Sequence, residues 1–210
     1  MVDVGERRPP LSRDRIVQAA LAVADGGGID AVTLRRVAER LDVHPTSIYN
    51  HLPNKEAILD ALVERLMEEA DLSDSYPDWC DWVRAFASAL RGLARAHPGA
   101  FMVFTKRPAV GPLASRQTEG ALDAFRRAGL SPVQAQRAAA GSSLAILGLA
   151  LNECLPIGPW AEPDLTHRAR NAFPRLNEVA VVADNDPDEL WDLVIESLIT
   201  GLAVHSGTRR

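Results

Sequence analysis

The sequence predicts an all-α protein in two parts, a small three-helix head at the N-terminus followed by a larger helical domain. Three observations carry this. Apolar residues recur at i, i+3, i+4 and i+7 along most of the 210 residues, and Pro, Gly and Ser punctuate the stripes. No segment shows convincing strand alternation; Val179 to Ala183 has strand-like composition but stands alone. The stretch Val32 to Lys55, VTLRRVAERLDVHPTSIYNHLPNK, reads as two short helices joined by a tight turn and followed at once by a third.

Residues 1–10, with Arg7-Arg8-Pro9-Pro10, are polar and read as a mobile arm able to touch phosphates or enter a minor groove. Ser12 caps a first helix to about Ala24, with Ile16, Ala19, Ala20 and Val23 as its buried stripe, and Gly26-Gly27-Gly28 stops it. Those glycines lack the spacing of a phosphate loop. Thr33 caps the next helix, whose apolar face is Leu34, Val37, Ala38 and Leu41. Asp42-Val43-His44 makes the break, with Val43 filling the space between helices. Pro45 suits the first turn of the following helix, where its missing N–H costs nothing. Ile48 and Leu52 point inward, leaving Thr46, Ser47, Tyr49, Asn50 and His51 outside. This is the helix-turn-helix pattern, the second helix carrying a polar outer face. Residues 11–55 thus form the head. Asn54 then caps a helix to about Leu72, so that residues 56–72 connect it to residues 73–210.

The larger part continues with helices over 78–96, 112–128 and 131–153. His97-Pro98-Gly99 ends the first of these, and a short element from Ala100 to Thr105 follows it. Ser131-Pro132 opens the third as cap and first-turn proline. A Pro- and Gly-rich loop follows, from Pro156 to Pro163. Phe173-Pro174-Arg175-Leu176 leads into a short helix to Val182, and a last helix opened by Asp186-Pro187 follows.

Composition limits the function classes. The chain is 47% hydrophobic, enough to bury a sizeable core, yet no run reaches the ~20 apolar residues that span a bilayer. The N-terminal arginines have no apolar stretch behind them, so no secretory signal is read, and the chain is expected in the cytoplasm. Cys80 and Cys154 lie far apart and read as free thiols. The net charge of −5 is unevenly spread: residues 1–55 carry 8 Lys+Arg against 7 Asp+Glu, net +1, and the remainder is acidic. The five histidines show no metal-ligand spacing, and neither a nucleophile elbow nor a phosphate loop is present. No catalytic residue, metal or cofactor is expected.

TLRRVAERLDVHPTSIYNHLPNKEAILDAL resembles the DNA-binding head of the TetR family of one-component regulators, through Thr33, Ala38, Leu41-Asp42-Val43, Tyr49-Asn50-His51 and Asn54-Lys55-Glu56. WVRAFASALRGLARAHPGAF, TKRP, the AGLSP turn and FPRLNEVAVVADNDPDELWDLVIESLITGLAVH are similar to the C-terminal domain of its tetracycline-repressor branch. The resemblance implies a ligand-binding and dimerisation domain behind the head. It implies a homodimeric repressor on a palindromic double-stranded DNA operator, released by a small-molecule effector. One departure stands out: Val103 occupies the place of a magnesium-binding histidine, and the expected acidic ligand falls on or beside Asn152. Magnesium-tetracycline is therefore not the effector we expect.

In such a head, the helix opened by Pro45 enters a major groove. Thr46, Ser47 and Asn50 are short polar groups suited to base edges, and Arg35 is long enough for bidentate contact with a guanine. Thr33, Tyr49, His51 and Lys55 suit phosphates, a role the resemblance puts on the last three of the motif's outer residues. His51 has a second reading, stacking in the head's core. Arg36 and Arg40 read as solvated or paired with Glu39 and Asp42. For the effector pocket the candidates are Trp82, Phe86, Phe101, Phe104, Leu122, Phe125 and Leu147, with polar His97, Gln136, Ser143 and Asn152. Plain core packing is the competing reading for the aromatics, and a helix C-cap for His97. The Ala- and Gly-rich helix 131–153 and the last helix are the candidate dimer faces. A helical small-molecule-binding or interaction protein without operator function is the alternative. The absence of any acid from His44 to Lys55 argues against it.

Overall fold

The computed structural model describes residues 9–155, 174–175 and 186–206. In chain order its helices are α1 (Arg13–Gly27), α2 (Leu34–Leu41), α3 (Pro45–Tyr49), α4 (Lys55–Glu69), α5 (Trp79–Ala96), α6 (Pro98–Phe101), α7 (Pro112–Arg127), α8 (Pro132–Cys154) and α9 (Pro187–Ser206). Two 3-10 turns, Ile29–Ala31 and Met102–Thr105, complete the regular structure, so every such element among the described residues is helical, as expected. No described helix is long and apolar enough to cross a membrane. The arm over residues 1–8, the loop from Pro156 to Pro163 and the strand-like Val179 to Ala183 lie outside the described residues.

The chain divides into two compact units: Met1–Met67 with His97–Ala109, and Glu68–Ala96 with Val110–Arg210. This corrects the grouping of all of residues 73–210 as one domain. The segment 97–109 packs with the head.

The first unit is built from local signals that agree with its packing. Ser12 Oγ accepts from the Arg15 amide at 3.3 Å, capping α1. The helix runs through Gly26 and Gly27, three residues beyond the expected end. It stops only at Gly28, whose φ of 77° a side chain would resist. Ile16, Ala20, Val32, Val37, Ile48, Ile58 and Leu62 are fully buried and form the core of the unit. Segment 97–109 is held to this core by shape and charge. Gly99 lies beneath the Ala24 carbonyl, where an added Cβ would sit 2.2 Å from the oxygen. Phe101 and Val103 are fully buried. His97 Nδ1 lies 2.8 Å from Asp25, Lys106 pairs with Asp30, and Arg107 forms a two-point bridge to Asp60 at 2.6 and 2.8 Å.

The second unit packs α5 along α8, with α7 and α9 against them. Ser131 and Gln134 make a reciprocal capping box at the start of α8, at 2.9 and 3.4 Å. Gly111 and Gly129, at φ of 111° and 91°, bracket α7. Gly120 rests on the Asp74 carbonyl, where a Cβ would come within 2.6 Å. Arg91 and Arg95 of α5 share Glu153 of α8 and Asp188 of α9 in one ion-pair network. Arg91 also lies over the Trp191 ring, 4.5 Å from its centre.

Candidate nucleic-acid interface

The candidate surface starts at the turn between α2 and α3. Thr33 Oγ1 accepts from the Arg36 amide at 3.2 Å, so the hydroxyl caps α2 while remaining exposed. Asp42 ends α2 in the left-handed conformation (φ 53°) that a short polar residue tolerates, and its amide donates to Glu39. The chain then turns sharply enough for the Val43 amide to reach the Ala38 carbonyl at 3.1 Å.

His44 caps α3, a role the sequence reading missed. Its Nδ1 accepts from the Thr46 amide at 3.4 Å and lies 2.8 Å from Thr46 Oγ1. The Thr46 hydroxyl is thereby oriented before any ligand arrives, its methyl left free. Ser, Thr, Asp and Asn are the usual caps, which is why a histidine gave no signal. Helix α3 is only five residues long, and its hold on the head comes from Ile48 and Leu52, 0% and 5% exposed.

On the opposite face, Thr46, Tyr49, Asn50 and His51 are exposed, and Pro45, Ser47 and Lys55 are half-exposed. Tyr49 stands 51% exposed, high for a large ring with an apolar body. His51 is exposed, so the core-stacking alternative does not hold. Arg35 has 85% of its side chain exposed and is tied to Glu39 at 2.8 Å, four residues along α2. That hydrogen bond raises the already high pKa of the guanidinium. Arg36 and Arg40, read as solvated or paired with Glu39 and Asp42, are exposed. Asn54 Oδ1 accepts from the Ala57 amide at 2.8 Å, capping the helix that carries Lys55. The structure thus collects Thr33, Arg35, Pro45, Thr46, Ser47, Tyr49, Asn50, His51 and Lys55 on one unit.

The proposed effector residues do not collect in the same way. Trp82, Phe86, Leu122, Phe125, Gln136, Ser143, Leu147 and Asn152 belong to the second unit, whereas His97, Phe101 and Phe104 belong to the first. Phe101 packs edge-on to Phe104 at 5.1 Å, and His97, directly after the end of α5, pairs with Asp25. Gln136 faces solvent, and Ser143 returns its hydroxyl to the Ala139 carbonyl of its own helix at 2.8 Å. What does cluster is aromatic: Trp82 stacks on Phe86 at 5.3 Å and meets Phe125 edge-on at 5.6 Å, while Trp79 stacks on Phe125. A separate groove of about 680 Å³ between α5 and α9 is lined by Arg84, Arg91, Arg95, Trp191, Ile195 and Glu196, none of them foreseen.

Residues 16–62 match the family model for bacterial regulatory proteins of the tetR family. An HTH-type transcriptional regulator of Saccharopolyspora erythraea is 30% identical over 211 residues, covering 95% of this chain and 88% of the relative. Tetracycline repressor protein class D of Escherichia coli is 31% identical over 204 residues, covering 92% and 90%. Among solved structures, apo ActR from Streptomyces coelicolor superposes with a TM-score of 0.80 at 27% identity, over 96% of this chain and 99% of that one. ActR in complex with actinorhodin gives a TM-score of 0.79 at 27% identity, over 95% and 98%. With its helix-turn-helix intact and its full-length relatives regulators, the chain belongs to the tetR family and is a DNA-binding transcriptional regulator, not an enzyme.

Proposed function

We propose that the chain is a homodimeric repressor that reads an inverted-repeat operator with its two α3 helices and is released by a small-molecule effector held in the second unit. One observation carries the reading most directly: a face with no acid, exposing Thr46 and Tyr49 of α3 and Asn50 and His51 just after it, on a helix anchored by Ile48. In a major groove, Thr46, Ser47 and Asn50 meet base edges, and Thr33, Tyr49, His51 and Lys55 hold phosphates. Arg35 exchanges Glu39 for a guanine; an exposed ion pair contributes little, so the exchange is cheap.

Dimerisation is supported by apolar side chains that a lone subunit leaves in water. Leu144 on α8 and Leu193 and Val204 on α9 are 70%, 66% and 76% exposed. Two such helix pairs would close a four-helix interface, holding the α3 helices roughly 34–36 Å apart, one DNA turn. Effector release is supported by the relatives: one is a tetracycline repressor, another was crystallised with actinorhodin. Coupling of about 1–3 kcal/mol between effector and operator is typical and suffices. The chain crosses between units at three points, after Met67, after Ala96 and after Ala109, and these are its routes.

The test is selection of bound duplexes from a random pool by the full chain, with sedimentation of the same sample. A dimer enriching an inverted repeat supports the reading. A monomer, or no preference over scrambled competitor, overturns it.

A further inference from the structure

Segment 97–109 brings charge as well as shape to the first unit. Residues 1–67 carry 9 Lys+Arg against 10 Asp+Glu, net −1. Lys106 and Arg107, with His97 counted neutral, turn the unit to net +1. The two cations serve different ends. Arg107 makes the two-point bridge to Asp60 of α4 at 2.6 and 2.8 Å, a geometry that fixes both groups. Its hydrogen bonding to Asp60, above all, raises its pKa, and the charges of Asp60 and then Glu56 add to the effect. With buried Phe101 and Val103 and the close-fitting Gly99, this bridge seats the segment. Lys106 lies 2.5 Å from Asp30, with side chains 40% and 84% exposed. A pair so open to water contributes little to the fold.

What distinguishes the Lys106 pair is its place. Asp30 sits in the turn Ile29–Ala31, three residues before Thr33, whose hydroxyl caps α2 and remains exposed. The hydrogen bond from Lys106, then the Lys106 charge, holds the Asp30 carboxyl below its ordinary value, and the charge of Lys55 acts in the same direction. Asp30 is therefore ionised at neutral pH and within electrostatic reach of Lys55. Left unpaired, this carboxylate would offset the attraction of Lys55 for a phosphate and repel a phosphate at Thr33. Paired, it leaves both contacts at full strength.

We propose that Lys106 is a positioning residue of the operator interface, supplied from outside the helix-turn-helix, which neutralises Asp30 beside the phosphates at Thr33 and Lys55. It reads no base and acts through Asp30. The assignment rests on the operator-binding reading above, in which Thr33 and Lys55 hold phosphates. A unit charge about 10 Å from a phosphate in water shifts binding roughly twofold, and a dimer carries two heads, so each single substitution should read as about fourfold.

The test is the affinity of the full chain for an inverted-repeat duplex selected from a random pool, with a scrambled duplex of the same length as competitor. At about 0.1 M salt, Lys106→Gln should weaken binding about fourfold, and Asp30→Asn should strengthen it by a similar factor. The double variant and Lys106→Arg should both bind close to wild type. Each shift should shrink to under about 1.5-fold at about 0.5 M salt, because ions screen exposed charges. A mere brace between segment and head behaves otherwise. Either single substitution breaks it, so both would weaken binding, and salt would not close the gap. Losses in both single variants, no shift in either, a double variant as weak as Lys106→Gln, or shifts that persist in high salt each overturn the proposal. If wild type prefers the selected duplex but the variants do not diverge, only the role of Lys106 falls. If wild type shows no preference, the operator-binding reading falls with it.

Discussion

At the scale of single residues, the proposed interface depends on side chains that contribute little to the fold. Tyr49 is half in water, so Tyr49→Ala should leave the unfolding free energy within about 0.5 kcal/mol of wild type. Its operator affinity should fall by roughly five- to tenfold across all sequences, since a phosphate contact reads no base. A gel-shift series over operator variants checks this, and an unchanged affinity would remove Tyr49 from the interface. Arg35 gives the complementary case. Arg35→Ala should relax preference at one base position, and Glu39→Gln, which frees the guanidinium, should strengthen binding slightly. A uniform loss over every sequence in the Arg35→Ala series would make Arg35 a phosphate contact. Which arginine Glu39 holds was not legible in the sequence: Arg35, Arg36 and Arg40 all lie within one turn of it, and the rotamers chose.

At the scale of elements, caps were the most readable feature, because a cap is a contact between neighbours in sequence. Ser12, Thr33, Asn54 and Ser131 all accept the bonds expected of them. Segment 97–109 was not readable, since its allegiance is set by partners far along the chain, Ala24, Asp25, Asp30 and Asp60. Gly99→Ala should cost roughly 1–3 kcal/mol, because the methyl has only the rigid Ala24 carbonyl to displace. Chemical denaturation with m unchanged measures it; an unchanged midpoint would show that the segment is not seated there. The ion-pair network of α5, α8 and α9 gives a pH dependence. The hydrogen bond from Arg95, then the charge of Arg91, holds Asp188 below its ordinary value of 3.8. A depressed carboxylate stabilises the fold above that ordinary value and stops doing so as the pH falls through the lowered one. The Tm gap between wild type and Asp188→Asn should therefore be full near neutrality and close below about pH 4. A gap that persists in acid would rule the pairing out as its source.

At the scale of the whole molecule, the proposed mode of regulation requires that two heads be held at a defined spacing. Leu193→Glu places a charge on a strongly exposed apolar position of α9. The variant should sediment as a monomer with helical content retained and lose operator binding by 100-fold or more, on the order of two avid half-sites becoming one. A dimer that survives the substitution would locate the interface elsewhere.

The amino-acid sequence by itself determined the helical class, the head with its turn and polar α3 face, and the family. The first two rest on spacing within one or two helical turns, the family on resemblance over the whole Thr33–Leu62 string. Tertiary structure decided the rest: that 97–109 seats on the head, that Arg35 is tethered, and that Ser142 rather than Ser143 is buried. On a helix as rich in Ala and Gly as α8, the apolar stripe covers so much of the circumference that a rotation of one residue, about 100°, leaves the pattern nearly unchanged. Only the neighbouring helices α5 and α7 choose which serine faces inward.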